Sequence, residues 1–332
     1  MILLIRRLVT LCLVCGVCSS ASAWSNDFWR AVKNYVDSAD FVGCDTSYVR
    51  LPREGFTVYA NSYLMETRLR VTHASAAPQH VPFTFDGLLS TQGSAQVSLG
   101  VLYRGWGLSY SRDISDFKDS EWAFMTYGQS YGAEFRLHNS HSFRTLEIEM
   151  PDGTLMEGPF PEMAISRCHN RTFTANTYYV FNHQRFSLPA ARSHTVIQRR
   201  SSGSWLAAMN YRFVRTRQSE NKLKQSHLQL GGGYAYNWAW GDGRYLLNAM
   251  AMPTFSVWSS CHVTDEGDAS SYNLYQKWLS PGGVAHVGTV INLGHWLTGV
   301  SAIFTFDSLR TTEGFSLYTY DWLARGFVGY RF

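Results

Sequence analysis

Residues 321–332, DWLARGFVGYRF, follow a two-residue period: Trp322, Ala324, Val328, Tyr330 and Phe332 fall on one side, and Asp321, Arg325 and Arg331 on the other. Successive side chains of a strand point to opposite faces, so this stretch reads as a β-strand with an apolar, aromatic face and a charged face. An aromatic-ended last strand paired with the first is how a barrel closes without leaving a backbone edge in lipid. Trp322, Val328, Tyr330 and Phe332 are therefore expected to face outward and to act as the assembly signal.

The period recurs upstream. In YLMETRLRV, Tyr63, Met65, Leu69 and Val71 share one side, and Glu66, Arg68 and Arg70 the other. WAFMTYGQSYGAEFRL, residues 122–137, reads as one strand with Ala123, Met125, Tyr127, Tyr131, Ala133, Phe135 and Leu137 on one face and Glu134 and Arg136 on the other. A strand of about 15 residues is long for a soluble sandwich and suits a tilted membrane strand with an aqueous extension. Alternating segments also cover 57–72, 94–112, 141–150, 172–186, 202–215, 226–240, 243–257, 283–293, 296–308 and 315–332. That makes about 11 segments; bacterial barrels have even strand numbers, so the expectation is an all-β, antiparallel transmembrane barrel of about 12 strands, with 10 as the alternative. Residues 82–90, PFTFDGLLS, would supply the missing strand. Gly241-Asp242-Gly243 and Asn292-Leu293-Gly294-His295 read as short turns, and residues 151–171, 187–200, 216–225 and 258–282 as longer loops.

The polar faces give the candidate lumen residues: Glu66, Arg68 and Arg70 on one stripe, Glu134 and Arg136 on a second, Glu147 and Glu149 on a third. Charges enclosed in a narrow barrel must pair, because an unpaired ion out of bulk water costs several kcal/mol. The same groups could instead line a polar conduit or cradle a ligand.

The N-terminus fits an exported protein. Arg6 and Arg7 precede an apolar stretch from Leu8 to Cys18, and Ala21-Ser22-Ala23 offers a small-residue cleavage site, the layout of a secretory signal peptide over residues 1–23. Residues 24–55 change character: Phe28, Val32, Tyr35 and Val36 have helical spacing and predict a short periplasmic helix before the barrel at 56–332. Beyond the signal no apolar run approaches the roughly 18 residues of a membrane helix, and the mean hydropathy is −0.18. Aromatic residues make up 15% of the chain and charged residues 16%, a poor balance for a soluble surface and a fitting one for a lipid-facing band. The formal charge of +4 loses both signal-peptide arginines on cleavage, so nothing in it argues for nucleic acid.

Cys44, Cys168 and Cys261 remain after cleavage. Export permits a disulfide, and a Cys168 to Cys261 pair is conceivable. Neither Cys168-His169 nor Cys261-His262 has zinc-site spacing, so no metal and no other cofactor is expected. A barrel hydrolase would need Ser, His and an orienting group at one rim. His138, Ser140 and His141 come nearest, yet no nucleophile motif accompanies them, and an enzyme is not expected. Arg192, Gln198, Arg199 and Arg200 form one basic loop and Lys222 and Lys224 a second, either of which could pair with lipopolysaccharide phosphates at the leaflet surface. Outer-membrane lipids, periplasmic chaperones and the barrel-assembly machinery are the expected partners.

Several segments resemble family 4421 of domains of unknown function: Asp45-Thr46-Ser47-Tyr48 with Leu51-Pro52, SLGVLYRGWGLSYS, YGAEFRLHNSHSF, YYVFNHQRFSLPAARSHTVIQRRSSGSWL, GGGYAYNW and DWLARGFVGYRF. The resemblance implies an outer-membrane barrel of a Gram-negative bacterium and carries no activity or catalytic residues. The functional expectation is a barrel that binds or passes a small polar or lipid-like molecule, with a structural or adhesion protein as the alternative.

Overall fold

The computed structural model describes residues 43–73, 85–91, 94–114, 119–149, 153–218, 221–265, 270–275, 279–310 and 315–332. The expected signal peptide and the expected helix around residues 28–36 fall outside the described residues. The elements in chain order are β1 (Val49–Arg50), β2 (Phe56–His73), β3 (Phe85–Thr91), β4 (Ser94–Tyr103), β5 (Trp106–Asp113), β6 (Ser120–Tyr127), β7 (Tyr131–Glu149) and β8 (Leu155–Val180). They continue with α1 (Leu188–Arg192), β9 (Ile197–Gln198), β10 (Ser202–Gln218), β11 (Asn221–Trp240), β12 (Tyr245–Asp265), β13 (Ser270–Tyr275), β14 (Ser280–Leu293), β15 (Trp296–Arg310) and β16 (Phe315–Arg331).

Twelve strands pair antiparallel in the order β2, β4, β5, β6, β7, β8, β10, β11, β12, β14, β15 and β16, and β16 pairs back onto β2 from Phe315↔His73 to Arg331↔Thr57. The sheet is thus a closed 12-stranded barrel with no edge among these strands, the condition for crossing lipid with strands. β3 and β13 are not staves. β3 bridges β2 and β7 above the shorter β4, β5 and β6, and β13 pairs antiparallel with the end of β12, from Ser260↔Tyr275 to Asp265↔Ser270. One end of the barrel, here the near end, carries the tight turns and Phe332. Arg104 and Gly105 both have positive φ, 46° and 93°, the geometry of a two-residue hairpin whose twist matches its strands.

The strand count agrees with the expectation, but its composition differs. Residues 94–112 are two strands, β4 and β5, and residues 122–137 are also two, β6 and β7, with the turn at residues 128–130. Residues 141–149 are not a separate strand and continue β7, while residues 85–90 belong to the rim strand β3; residues 82–84 and 150 lie outside the described residues. The long loops at the far end are largely strand: β8 occupies most of 151–171, and the β10–β11 ladder runs out to Gln218↔Asn221. Paired polar strands satisfy their backbone groups without an apolar face, which leaves no hydrophobic period to read.

The outer surface is apolar between two aromatic levels. At the near end Phe332 contacts Phe56 and Tyr330, with ring centroids 6.0 and 4.9 Å apart, and Trp296 stands against Tyr330 at 4.9 Å. Leu99 and Val300, 64% and 60% exposed, lie in the band above, and Trp322 and Phe304 mark its upper limit on β16 and β15. Ten residues separate Phe332 from Trp322, so at about 3.3 Å per residue and a tilt near 40° the band is roughly 25 Å tall. No helix among the described residues is long and apolar enough to cross a membrane, and the barrel crosses with its strands. Trp322, Val328 and Phe332 are exposed on the outer face, as expected, whereas Arg331 points inward and is 1% exposed.

Candidate functional site: a stoppered lumen

Between β8 and β10 the chain folds back into the near end of the barrel. Ser187 caps α1, its Oγ accepting from the Ala190 N–H at 3.3 Å, and Pro189 sits in the first turn where no N–H is missed. The face this segment turns inward is apolar: Phe186 and Leu188 pack with Val180, Leu206, Ala235 and Met250 of the wall into one buried cluster. Residues 182–200 are therefore a stopper, not an exposed loop. They are held by β1 pairing with β9 (Val49↔Gln198, Arg50↔Ile197).

Gln198 is the hub of that attachment. It is 1% exposed; its Oε1 accepts from the Ser187 N–H at 2.8 Å and from Asn237 Nδ2 at 3.2 Å, and its Nε2 donates to the carbonyls of Arg185 and Arg200 at 2.7 and 2.9 Å. The ladder continues along the wall, with Asn248 Nδ2 donating to Asn237 Oδ1 at 2.7 Å and Asn248 Oδ1 2.8 Å from His286 Nδ1. Gln198→Leu leaves several buried groups unpaired at about 1–3 kcal/mol each. The expected result is faster proteolysis of residues 182–200 in the folded, heat-modifiable barrel; protection equal to wild type would refute the anchoring role. The β11–β12 turn helps to hold the stopper in place. Gly243 has φ 85° and a Cβ there would overlap Ile197, while Arg199 donates from Nε to Asp242 Oδ1 at 2.6 Å, holding that carboxyl below its usual pKa.

Above the stopper the wall is polar. Glu134 and Arg136 of β7 face the lumen as expected and form an ion pair. The partner the sequence did not point to is Arg192, from the last turn of α1, with Nη2 3.3 Å from Glu134 Oε2. Tyr127 Oη donates to that same oxygen at 2.8 Å, and Glu121 stands 3.4 Å from Arg136 Nη1. Arg325 also lines this cavity and donates to Ser301 Oγ at 3.2 Å. The cavity encloses about 800 Å³, part of it open to solvent. Its opposite side joins the last strand: Arg331 Nη2 donates to the His194 carbonyl at 2.8 Å, and the His194 ring stacks on Phe327 at 4.1 Å. A further bridge crosses the lumen, where Arg212 Nη1 of β10 lies 3.5 and 3.3 Å from Asp307 and Asp321 of β15 and β16.

Several sequence expectations need correction. Glu66, Arg68 and Arg70 are on the outer face: Glu66 lies opposite Trp322 in the register and accepts its indole N–H at 3.0 Å, while Tyr59 and Tyr63 face inward. Alternation divides a strand into two faces without saying which is outside, and these charges sit at or above the apolar band, where outward charge costs little. Ala123, Met125 and Tyr127 likewise face the lumen, because the turn pairs Tyr127 with Gly132 and swaps the parity between β6 and β7. Glu147 and Glu149 lie at the far rim, opposite Glu157 and Leu155 and past three register irregularities, away from the Glu134 cluster. Arg192, Gln198, Arg199 and Arg200 belong to the stopper and its attachment at the near end, not to a surface loop. His138 and Ser140 share the lumen face while His141 takes the outer one, so the three do not converge. Cys261 is a free, buried thiol, so no bridge to Cys168 forms.

Fold and site together define a transmembrane β-barrel of twelve strands with an internal stopper. The chain belongs to the family described as Domain of unknown function (DUF4421), whose model matches residues 44–332. No curated protein matches it in sequence. Among solved structures it is similar to the outer membrane protease OmpT from Escherichia coli, at 8% identity and TM-score 0.39, covering 84% of this chain and 97% of that one. It is also similar to the translocator domain of the autotransporter NalP from Neisseria meningitidis, at 13% identity and TM-score 0.36, covering 96% and 99%. A third likeness is to the P. putida toluene transporter TodX, at 8% identity and TM-score 0.30, covering 84% and 90%. At these scores the likenesses carry no functional argument.

Proposed function

We propose that this is an outer-membrane barrel, exported through a cleaved signal peptide, that holds or passes a small polar anion through a lumen stoppered at its periplasmic end. The observation that carries the reading is the Arg192–Glu134 ion pair, which ties the stopper to the wall of a polar cavity. A 12-stranded barrel encloses more space than its own side chains fill. Here the filling is a folded segment held by polar bonds above a small apolar cluster. Arg136, Arg192 and Arg325 outnumber Glu121 and Glu134 around the cavity, which favours an anion over a cation. The test is solute uptake into liposomes: wild type should be slow, a variant lacking residues 188–196 fast, and Arg325→Glu in that background should lose the preference for anions. A deletion variant that is folded yet as tight as wild type would sink the reading.

A structural or adhesive role finds support in the far-end extension, since β8 and β12 have 26 and 21 residues where a membrane crossing needs about 10. No catalytic role is proposed, and no cofactor. In biogenesis the chain would depend on periplasmic chaperones and the assembly machinery, with Trp322, Val328, Tyr330 and Phe332 as the recognised face. The Phe332 N–H donates to the Phe56 carbonyl at 2.9 Å and its ring is 65% exposed. Phe332→Asp should therefore reduce the heat-modifiable outer-membrane band several-fold while leaving synthesis unchanged; a normal band would remove Phe332 from the assembly signal.

A further inference from the structure

The outer wall carries a second feature, on the side of β8, β10 and β11. Two adjacent rungs of the ladder there are built almost wholly from basic residues. In the first, Arg171 of β8 lies opposite Arg215 of β10, and Arg215 opposite Lys224 of β11. In the next, His169 lies opposite Arg217, and Arg217 opposite Lys222. Phe173 and Phe213 form the rung immediately toward the membrane, with Tyr211 and Leu228 below them. The residues share the outer face with Trp205, Met209 and Leu230, which are exposed two or more rungs further down.

Like charges directly opposite one another destabilise a sheet, and strands are only about 4.8 Å apart. The three successive cations of the first rung, Arg171, Arg215 and Lys224, therefore call for a counter-anion. Neither rung contains a carboxylate between β8 and β11; at the β7 edge Asp119 is engaged with His141, at 3.3 Å. Arg171, Arg217 and Lys224 are exposed, while Arg215 is half-buried between them and its buried Nε has no hydrogen-bond partner among the described residues. Arg171 Nε donates to His169 Nε2 at 3.2 Å, an arrangement that leaves the terminal nitrogens of its guanidinium available.

The position selects the anion. A phosphate monoester brings up to about two negative charges and three acceptor oxygens, matched to guanidinium forks. The aromatic and aliphatic rungs directly beneath offer a surface for acyl chains, which a free anion would not use. We propose that these two rungs bind the phosphates of an acylated, phosphate-bearing lipid of the leaflet they face, lipopolysaccharide in an outer membrane. The site rests on the reading of the protein as an outer-membrane barrel and is independent of what the lumen carries. Sequence pairing alone offered Lys222 and Lys224; Arg171, Arg215 and Arg217 join them only through the barrel's register.

The experiment uses the purified full chain in neutral detergent, with three probes: lipopolysaccharide, the same lipopolysaccharide stripped of its phosphates, and inorganic phosphate. Retained lipid is read by native mass spectrometry, and heat-modifiable migration of each sample reports separately on the barrel. Wild type should retain the phosphorylated lipid at least tenfold more tightly than the stripped one. The variant R171Q/R215Q/R217Q/K224Q should lose roughly a hundredfold, as expected for several charge-assisted bonds, while R310Q, a cation on β15 outside this patch, should bind as wild type. Where the quadruple variant lacks the folded band, R217Q and K224Q, each at an exposed position, are measured singly and should each weaken retention severalfold, with R217K restoring most of it. Equal retention of the stripped lipid, displacement by low-millimolar inorganic phosphate, or unchanged retention in both single variants would overturn the proposal.

Discussion

Arg192→Glu should convert a quiet barrel into a conducting one. In the wild type the Arg192 guanidinium shares Glu134 with Arg136 and with the hydroxyl of Tyr127, and Glu134 itself is almost fully buried, its side chain 5% exposed. Replacing the cation by a carboxylate removes one partner and sets two negative charges together in a confined space. Breaking a buried pair costs about 3–5 kcal/mol, and every 1.4 kcal/mol is a factor of ten in an equilibrium. The population with the stopper displaced should therefore rise by roughly two to three orders of magnitude. Gln198 holds the N-cap residue Ser187 at the other end of α1, and β9 pairs with β1 independently of Arg192, so the change should release the helical part and leave the segment tethered. In a planar bilayer this predicts long closed periods for the wild type and frequent, resolved openings for the variant. Adding Glu134→Gln to Arg192→Glu should quiet the current again, because the repulsion is gone. Openings that are equally frequent in wild type and variant would mean that the ion pair does not secure the stopper, and the conduit reading would lose its support.

Much of the barrel could be read from alternation, and the failures have one cause. A period of two identifies a strand and splits its side chains, but lipid and lumen become distinguishable only where one face is uniformly apolar. That holds for Trp322, Val328 and Phe332, within the 25 Å band. It fails for Glu66, Arg68 and Arg70, which sit on the outer face at or above the band, and for Tyr59 and Tyr63, which face inward toward the stopper. The turn at residues 128–130 has weak chemistry, Gly-Gln-Ser, between two stretches that alternate in phase, so the sequence looks continuous where the chain reverses. The stopper was illegible for another reason. LPAAR has the caps of a short helix, but its five residues give too little periodicity to mark a buried face. One sign was available: Phe186, Leu188, Val196 and Ile197 make residues 186–197 too apolar for an aqueous loop. The lumen pair of Glu134 and Arg136 was legible; that its third member would be Arg192, 56 positions beyond Arg136, was a matter of topology.

The second closure of the lumen leads to the other large effect. Arg212 reaches from β10 to β15 and β16, on the far side of the barrel, and each of the two carboxylates it meets also accepts a hydrogen bond: Thr67 Oγ1 donates to Asp321 Oδ1 and Gln229 Nε2 to Asp307 Oδ1, both at 2.6 Å. The side chains are 28%, 14% and 28% exposed for Arg212, Asp307 and Asp321, so water screens the group only in part. Arg212→Leu takes away the one guanidinium between two carboxylates on neighbouring strands and leaves them to repel each other. The expected loss is about 3 kcal/mol, the lower end for a broken buried pair because of that partial exposure. It should appear as a lower temperature for the loss of the folded, fast-migrating band. The triple variant R212L/D307N/D321N should recover most of the loss, since Thr67 and Gln229 can still donate to the amide oxygens while no charge is left unpaired. A single variant that melts with the wild type would show the three groups to be hydrated individually. The two closures also bear on each other: if Arg192→Glu conducts while Arg212 is intact, the solute path runs beside the bridge, along the Arg325 wall, and Arg212→Leu should widen that path without opening the wild-type stopper.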